Sequence, residues 1–515
     1  MRGQFGGEVA ALLVLFCFLA GACGGSHEKP PFLRAALESY PGNLDPRLAT
    51  DAYAYDVIET LYNGLVKPSA AGGYEPDLAE KIEPETPLRW RILLREGVRF
   101  HHGKILSASD VLCTYRSILD PGLGSPAKAS FEALEGIEIL GERELRLRLV
   151  RPAAAFFETI TLPILPCDLL RSGHDFSEKP VGTGFLRFVE ARSPLYIQLE
   201  RFSEYFRGET SIPGVRFVHI PDATTRVLSL LRGEIDLSVN NVSPAYVERL
   251  GREKHLRIAT SPGTNFTYVG FNLRDPVLKG IRVRRAIAHA IHREEIVKYR
   301  LKGLADLADA LFPAGHWAHA SGVRRYEYDP ALAEKLLDEA GYPRPADGGP
   351  RLSLSYKTSQ NKDRLRMIEV IRRRLEEVGV HIEIQPYEFG TFLEQIKRGD
   401  FQLYSLTWVG VSDPDFYYDV FHSAQIPENG GRNRGRYSNP RADTLLEAGR
   451  AELDPARRAT IYREFQGLLA EDLPCLPLWH ERNVAVMGER VEGFELNPLA
   501  SYRALEKNRL REEPR

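Results

Sequence analysis

The sequence predicts an α/β fold with two lobes, and three observations support this prediction. Strand and helix patterns alternate between residues 352 and 408, as they do in a parallel βαβαβ unit. Residues 231–237 (LRGEIDL) and 397–403 (KRGDFQL) share one pattern, in which a helix ends, a basic-Gly-acidic turn follows and a strand begins. The length of 515 residues is enough for about three domains of roughly 150 residues each. We therefore expect two α/β lobes whose strand ends face one cleft.

The composition excludes some classes of partner. The chain has 68 basic and 70 acidic residues, a net charge of −2, so it has no broad positive field and we expect no nucleic acid partner. Hydrophobic residues make up 43% and charged residues 27%, which is ordinary for a globular protein with a sizeable core. Beyond the first 22 residues, no stretch is long and apolar enough to span a membrane.

The first 22 residues have the features of a signal peptide. Residues 10–22 form an apolar run of secretory length, too short to cross a bilayer. The run ends in Leu19-Ala20-Gly21-Ala22-Cys23, which resembles the lipobox of bacterial lipoproteins. That resemblance implies that Cys23 is lipidated, becomes the first residue of the mature chain and anchors the protein to the membrane. The alternative is ordinary cleavage, which releases a free product into the periplasm.

The cysteine pattern does not predict a metal or redox site. None of the five cysteines forms a C-x-x-C pair. After the leader, Cys113, Cys167 and Cys475 allow at most one disulfide. We expect them to be small buried hydrophobic residues.

The elements of the first half follow from local patterns. A helix is predicted at 55–65 and a strand at 90–101, where Trp90, Ile92 and Leu94 share one face. His101-His102-Gly103 is predicted to be a turn, because adjacent histidines in a strand do not face one metal ion. The remaining predictions are a helix at 110–119, strands at 145–150 and 215–220, a tight glycine-rich turn entering a strand at 180–188, a helix at 223–232 capped by Asp222, and a strand at 235–239 that ends at Asn240-Asn241.

The second half has a clearer pattern. Apolar residues recur at helical spacing from 283 to 301, which predicts one long helix. The helix at 329–341 has an Asp cap, a Pro in its first turn and a terminal Gly. Beyond it the predicted elements are a strand at 352–357, a helix at 365–378, a strand at 380–387, a helix at 391–398 and a strand from 401.

The loop that follows this last strand is the predicted ligand-binding wall. Ligands of open α/β sheets bind at the carboxyl ends of the strands. The loop contains Trp408, Asp413, Asp415 and the aromatic run 416–418, so we expect it to line or roof a cleft.

Motifs spread over most of the chain resemble one family. They are Leu44-Asp45-Pro46, Leu61–Leu65, Pro76–Glu80, Trp90–Gly103, Ala108–Val111, Pro180–Gly184, Gly233–Asp236, Gly270-Phe271-Asn272, Val283–Ile287, Arg293 and Asp329–Tyr342. In this order the set resembles the extracytoplasmic substrate-binding proteins of ABC importers, in the large peptide- and nickel-type class. The resemblance implies a type II periplasmic-binding-protein-like fold, with two α/β lobes, a hinge and an inserted domain. It places domain I at 23–66, 180–275 and 483–515, domain II at 67–179 and domain III at 276–482.

The same resemblance implies a function and a set of site residues. A peptide or other small organic solute would bind between domains I and III, hinge closure would follow, and the monomeric receptor would dock on a permease in the inner membrane. Val411 occupies the place where peptide-binding members have an Asp for the ligand's amino group. That role is therefore shifted to Asp413 or Asp415, or absent. Further candidate ligand-binding residues are Trp408, Tyr417, Asn240 and Arg434, whose guanidinium is suited to a carboxylate.

Two alternative functions have weaker support. A nickel- or metal-chelate receptor would need a histidine cluster, and the closest spacings are His289 with His292 and His316 with His319. A periplasmic hydrolase would need paired carboxylates such as Asp413 and Asp415, but no orienting His is evident. The sequence has no G-x-S-x-G, H-E-x-x-H or P-loop motif, so we expect no catalytic residues, no cofactor and no resident metal.

Overall fold

The computed structural model describes residues 32–69 and 72–510. The expected signal peptide and Cys23 lie outside the described residues. No helix in the described ranges is long and apolar enough to cross a membrane.

The described residues form 21 strands and 14 α-helices. The strands are β1 (Leu33–Leu37), β2 (Val66–Pro68), β3 (Tyr74–Pro76), β4 (Ala79–Thr86), β5 (Arg89–Leu94), β6 (Leu134–Gly141), β7 (Glu144–Leu149), β8 (Leu186–Arg192), β9 (Tyr196–Arg201), β10 (Gly214–His219), β11 (Leu237–Val239), β12 (Leu256–Ser261), β13 (Phe266–Phe271), β14 (Ala305–Leu307), β15 (Leu352–Ser359), β16 (Val380–Tyr387), β17 (Leu403–Trp408), β18 (Cys475–Glu481), β19 (Asn483–Gly488), β20 (Val491–Glu492) and β21 (Arg509–Leu510). The helices are α1 (Ala52–Leu61), α2 (Ala108–Leu119), α3 (Phe156–Thr159), α4 (Cys167–Arg171), α5 (Ala223–Leu231), α6 (Pro244–Leu250), α7 (Ile281–Ala290), α8 (Arg293–Glu295), α9 (Pro330–Glu339), α10 (Lys362–Glu377), α11 (Phe389–Arg398), α12 (Phe416–Phe421), α13 (Pro440–Ala451) and α14 (Pro455–Asp472).

A seven-stranded sheet, in the order β12-β19-β11-β1-β10-β9-β8, forms the first lobe. Strand β1 lies inside it, parallel to β10 and β11. Leu33, Ala35 and Leu37 pack into one core while Ala36 packs into another on the opposite face. Apart from Arg34, whose guanidinium donates to Asp236 at 2.9 Å, the strand is apolar because both of its faces are buried. We call this part the seven-stranded lobe.

A six-stranded sheet, in the order β14-β18-β13-β17-β15-β16, forms the six-stranded lobe. Strand β15 is parallel to both β16 and β17, and helices α10 and α11 make the crossovers. This confirms the βαβαβ unit predicted from the alternating pattern. The unit places the loop after Trp408 at the carboxyl edge of the sheet, where it was expected.

Local capping predictions are also confirmed. Asp222 accepts a hydrogen bond from the Thr225 N–H at 2.7 Å, and Asp329 accepts one from the Leu332 N–H at 2.9 Å. Gly233 and Gly399, which occupy the same place in the two similar segments, have φ angles of 65° and 81°. These left-handed conformations explain why both turns contain glycine.

A four-stranded antiparallel sheet, β4-β5-β7-β6, belongs to a third structural unit, which we call the four-stranded domain. Cys113 on α2 is bonded to Cys167 on α4, so our expectation that both are unpaired buried residues is wrong. The two cysteines are 54 residues apart in sequence, and only the packing of α2 against α4 brings their Cα atoms to 5.4 Å. Cys475 is free and buried, as expected.

The single long helix predicted at 283–301 is also wrong. Helix α7 ends at Ala290, Ile291 is extended, and α8 is followed by a π-helix at Ile296–Arg300. Arg293 explains the break: its guanidinium turns inward and donates to the carbonyls of Ala308, Pro477 and Tyr326. The apolar spacing continues through the break because Ile291 and Ile296 pack in the same core.

Two short crossings connect the two lobes side by side. Residues 262–265 lead from β12 to β13, and Arg482 lies between β18 and β19. The Glu481 N–H donates to the Asn265 carbonyl at 3.1 Å. A Cβ atom on Gly263 would lie 2.1 Å from the Glu481 carbonyl oxygen, so only glycine fits there. Strand β13 pairs with β17 and β18, so the chain changes sheet before residue 266 rather than at the expected 275/276 boundary.

Candidate ligand-binding site

A cleft of about 820 Å³ lies between the two lobes, beside these crossings. The seven-stranded lobe contributes residues 240 and 242–245, which follow β11. The six-stranded lobe contributes residues 359–361, 363, 364, 366 and 367, which follow β15, and Glu388 and Phe389, which follow β16. The cleft therefore lies where strands of both lobes reach their carboxyl ends, the usual position of ligands in open α/β sheets.

On the first wall, Asn240 lines the cleft but most of its amide is engaged. Its backbone has a φ of 55°. Its side-chain oxygen accepts from the Val484 N–H at 2.9 Å, and its amide nitrogen donates to the Asn483 side chain at 3.0 Å. Asn240 thus ties the end of β11 to the start of β19, directly beside one crossing.

On the second wall, four side chains form a continuous hydrogen-bonded chain, which we call the hydroxyl relay. Arg364 Nη2 donates to Thr407 Oγ1 at 3.2 Å, and this hydroxyl lies 2.7 Å from Thr267 Oγ1. Thr267 donates to Glu481 Oε1 at 3.3 Å. Burial raises the pKa of Glu481, and the charge of Arg364 and the Thr267 hydrogen bond counter only part of this rise. Arg364 and Glu481 both line the cleft.

At the predicted loop, Trp408 and Arg434 lie together. The Arg434 guanidinium carbon is 4.4 Å from the centroid of the Trp408 ring. On its other sides Trp408 stacks with Tyr268 at 6.2 Å and meets Phe416 edge-on at 5.0 Å. Val409, the next residue, is 63% exposed. The structure therefore brings two of the predicted residues into one cation–π pair at the carboxyl end of β17.

The other predicted residues of the loop point into the six-stranded lobe. Asp413 is buried and accepts from Arg458 Nη1 at 2.9 Å and Nη2 at 2.6 Å. Asp415 pairs with Arg450 at 3.1 Å, and burial raises its pKa to about 6. Tyr417 is fully buried. The two carboxylates are therefore paired with arginines of the same lobe, and the Tyr417 ring packs in its core.

The valine found where an acid was expected has the same explanation. Val411 is 6% exposed and packs in the core that also contains Tyr417. A carboxylate at this position would lie among apolar side chains without a partner, which is costly.

The four-stranded domain touches this loop. The Tyr74 hydroxyl is 3.4 Å from Ser412 Oγ, and the Ala154 N–H donates to the Arg450 carbonyl at 3.2 Å. Glu158 is exposed on the surface of the domain, but the neighbouring protein removes part of the water around its carboxylate, and this desolvation, followed by the charges of Asp413, Asp415 and Asp419, raises its pKa to about 7. The four-stranded domain therefore contacts the loop and the neighbouring helix α13 from a second side.

No group of three or more His, Cys, Asp or Glu side chains in the described ranges is arranged to hold a metal ion. The histidines considered for this role contact other groups. His289 Nδ1 lies 2.7 Å from the Glu327 carbonyl, His316 Nε2 lies 3.1 Å from the Ser412 carbonyl and His319 Nδ1 lies 2.9 Å from the Phe312 carbonyl.

The sequence model for bacterial extracellular solute-binding proteins, family 5, matches residues 73–428 of this chain. The chain belongs to this family. The resemblance inferred from the ordered motifs is thus confirmed, and so is the type II periplasmic-binding-protein-like fold.

Relatives of this family member are similar over nearly their whole length. The oligopeptide-binding protein AppA of Bacillus subtilis (strain 168) is 29% identical, with 97% of each chain covered. Heme-binding protein A of Haemophilus influenzae is 26% identical, with 89% of this chain and 88% of the relative covered. The crystal structure of the ABC transporter substrate-binding protein CtaP from Listeria monocytogenes has a TM-score of 0.84 at 26% identity and covers 93% of this chain and 99% of its own.

Membership establishes a class of function. The protein is an extracytoplasmic substrate-binding protein of an ABC importer, and its family consists of binding proteins rather than enzymes.

The cleft residues of the hydroxyl relay were missed by sequence reasoning. The signal was available, because Arg364 comes shortly after the carboxyl end of the predicted strand at 352–357, and ligands of open α/β sheets bind at such ends.

Proposed function

We propose that this protein captures a peptide or another small organic solute in the cleft between the seven-stranded and six-stranded lobes, closes around it and delivers it to a membrane permease. The observation that carries the proposal is the position of the cleft, between two strand edges and beside the only two lobe crossings found in the described residues. Its volume of about 820 Å³ is within the roughly 300–1,000 Å³ of small-molecule sites.

Hinge closure follows from this arrangement. Rotation about two adjacent short crossings moves the walls together without breaking either sheet. A solute that contacts Asn240 on one wall and the residues after β15 or β17 on the other binds the closed form better than the open form. Binding therefore shifts the equilibrium towards closure.

We assign contact with the solute to Asn240, which lines the cleft, and to Trp408 and Arg434, which lie at the carboxyl end of β17 and line a separate, smaller cavity of the six-stranded lobe. The Arg434 guanidinium, stacked on Trp408, is the group suited to a carboxylate, and Trp408 offers a flat apolar surface beside the exposed Val409. We assign a supporting role to Asp413, Asp415 and Tyr417, because their side chains are held inside the lobe.

We also propose a lipid anchor at Cys23 after removal of residues 1–22, with the receptor acting as a monomer. The small residues before Cys23 support lipidation. Mass spectrometry of the membrane-associated protein should find a diacylated N-terminal cysteine, and Cys23→Ser should move the protein to the soluble fraction. Light scattering at working concentration should give the mass of one chain.

The decisive experiment is to identify the captured solute. Native mass spectrometry of freshly purified protein should reveal a bound small molecule, and a thermal-shift panel should then cover amino acids, peptides of two to nine residues, heme and nickel with histidine. Ligand at 100 times its Kd stabilises the native state by about 2.7 kcal/mol. Val242→Trp, which fills the cleft wall, should abolish the shift, whereas Leu195→Trp at an exposed position away from the cleft should not. Retained binding in Val242→Trp would place the site elsewhere.

The nickel-chelate alternative is tested by the same panel. No histidine or carboxylate cluster in the described ranges supports it. A shift with nickel and histidine together, and none with peptides, would favour it over a peptide receptor.

A further inference from the structure

We propose that the four-stranded domain forms a clasp with the loop after β17, which stabilises the closed receptor, and that formation of this clasp is coupled to proton uptake at Glu158. The clasp consists of residues 72–74 and helix α3 on one side and of residues 409–415 with helices α12 and α13 on the other. This inference rests on the proposed hinge closure, and it adds a means by which pH controls that closure.

The four-stranded domain is fixed to the seven-stranded lobe. Asp77, between β3 and β4, is fully buried and accepts from Arg503 Nη1 at 2.8 Å and from Asn63 Nδ2 at 3.0 Å. The sequence neighbours of these two donors, Tyr502 and Tyr62, pack in a core of the seven-stranded lobe. Breaking a buried ion pair is costly, so we expect the domain and this lobe to move as one body.

The same domain also touches the six-stranded lobe. Its contacts with Ser412 and Arg450 are 3.4 and 3.2 Å long. A Cβ atom on Gly72 would lie 2.9 Å from the His316 ring, so residue 72 packs closely against that side chain. The loop after β17 lies at the carboxyl edge of its sheet, the edge that faces the cleft. A rotation that opens the cleft therefore moves the loop away from the domain and parts these contacts.

When the clasp forms, a carboxylate of the domain meets carboxylates of the loop. Glu158 on α3 interacts with Asp413, Asp415 and Asp419, and the charge of Arg432 opposes theirs. No ion pair of 4.0 Å or less joins Glu158 to a basic side chain among the described residues. Like charges repel, so an ionised Glu158 disfavours the clasp and a proton on it removes the repulsion.

The arginines beside the loop acids are engaged within their own lobe. Arg458 donates two hydrogen bonds to Asp413, and Arg450 pairs with Asp415 at 3.1 Å. Both pairs move with the six-stranded lobe, so their contributions are the same whether the clasp is formed or parted. Asp419 has no ion-pair partner within 4.0 Å in the described ranges, and burial raises its pKa. The charge that Glu158 meets is therefore negative.

Glu158 is the group that couples this contact to pH. Burial raises the pKa of Tyr74 well above its ordinary value and lowers the pKa of His316, so both are neutral near pH 7, and Glu132 pairs with Arg151. With the clasp formed the pKa of Glu158 is about 7, above its ordinary 4.5, so the clasped form binds the proton more tightly. Acid therefore favours the clasp, and this contribution is lost as the pH rises from 4.5 to 7.

The test measures the clasp by double electron–electron resonance between spin labels on the full mature chain. Leu88→Cys on the four-stranded domain and Thr444→Cys on α13 supply two exposed labelling positions. We expect a short and a long distance between the labels. Because water screens the exposed Glu158, the ratio of short to long should be about threefold to fivefold higher at pH 5 than at pH 8. Glu158→Gln should have the higher ratio at both pH values.

A matched control and a charge reversal test the electrostatic argument. Glu83→Gln removes an exposed carboxylate from the same domain, on β4, and should behave like the parent. Glu158→Lys places a positive charge opposite the loop acids, so the short distance should dominate at pH 8 as well as at pH 5. A predominantly long distance in Glu158→Lys at pH 8 would overturn the proposal, whatever the result with Glu158→Gln.

Failure of the clasp and failure of hinge closure give different results. If the parent shows both distances in a ratio that does not change with pH, proton coupling is refuted and hinge closure stands. If a single distance appears at every pH, both in the protein as purified and after bound solute has been removed by unfolding, dialysis and refolding, hinge closure fails and the proposed function fails with it.

Discussion

The buried ion pair between Asp413 and Arg458 offers the sharpest test of how the loop is built. Asp413→Asn removes the charge while keeping the size of the side chain. The two side chains are 3% and 7% exposed, and two charge-assisted hydrogen bonds of 2.9 and 2.6 Å join them. Arg458 then keeps its charge without a counter-ion, in a site where breaking a buried pair costs about 3–5 kcal/mol.

That loss is measurable as a thermal shift. For a lobe of this size, about 2–4 °C per kcal/mol gives a fall in Tm of roughly 10 °C. Differential scanning calorimetry should show it in the transition of the six-stranded lobe. The double variant Asp413→Leu/Arg458→Met should recover most of the stability, because two well-packed apolar residues leave no unpaired charge. An unchanged Tm together with weaker solute binding in Asp413→Asn would refute the supporting role and restore Asp413 as a ligand contact.

Three further predictions concern the rest of the fold. Cys113→Ala/Cys167→Ala should lose about 2–4 kcal/mol of stability in the four-stranded domain, and reductant should lower the Tm of the parent but not of the variant. Gly263→Ala should force the two crossings apart and weaken solute binding at least 10-fold, while Gly467→Ala, whose Cβ meets nothing within 4 Å, should leave binding unchanged. Glu158 has a folded pKa of about 7, above its ordinary 4.5, so its contribution to stability is lost as the pH rises from 4.5 to 7. Glu158→Gln should match the parent at pH 4 and exceed it at pH 8 by less than about 1 kcal/mol, since water screens this exposed side chain; a larger gain at pH 4 would contradict this.

The sequence predicted the parts of the fold that depend on local patterns. The alternation between 352 and 408 predicted the parallel unit β15-β16-β17, and Asp222 and Asp329 marked helix starts. The break after Ala290 could not be read in the same way, because apolar residues on both sides of it face one core. The inward turn of Arg293 depends on carbonyl groups that are distant in sequence.

The site was predicted only to the level of the sheet edge. The rule for strand ends located the loop after Trp408 and would equally have located Arg364. It could not tell which loop side chains point inward, because the partner of Asp413 is 45 residues away on α14. The relay was hidden for the same reason, since its four members lie on α10, β17, β13 and β18.

All four members of the relay belong to the six-stranded lobe, and this has a kinetic consequence. Their geometry does not depend on the position of the other wall, so they remain assembled when the cleft opens. A solute that uses them would be recognised by the open receptor before any rotation, with little ordering cost at encounter. Contacts at Asn240 would then form only on closure, so changes on that wall should lengthen or shorten the residence time of the solute and leave its association rate nearly constant.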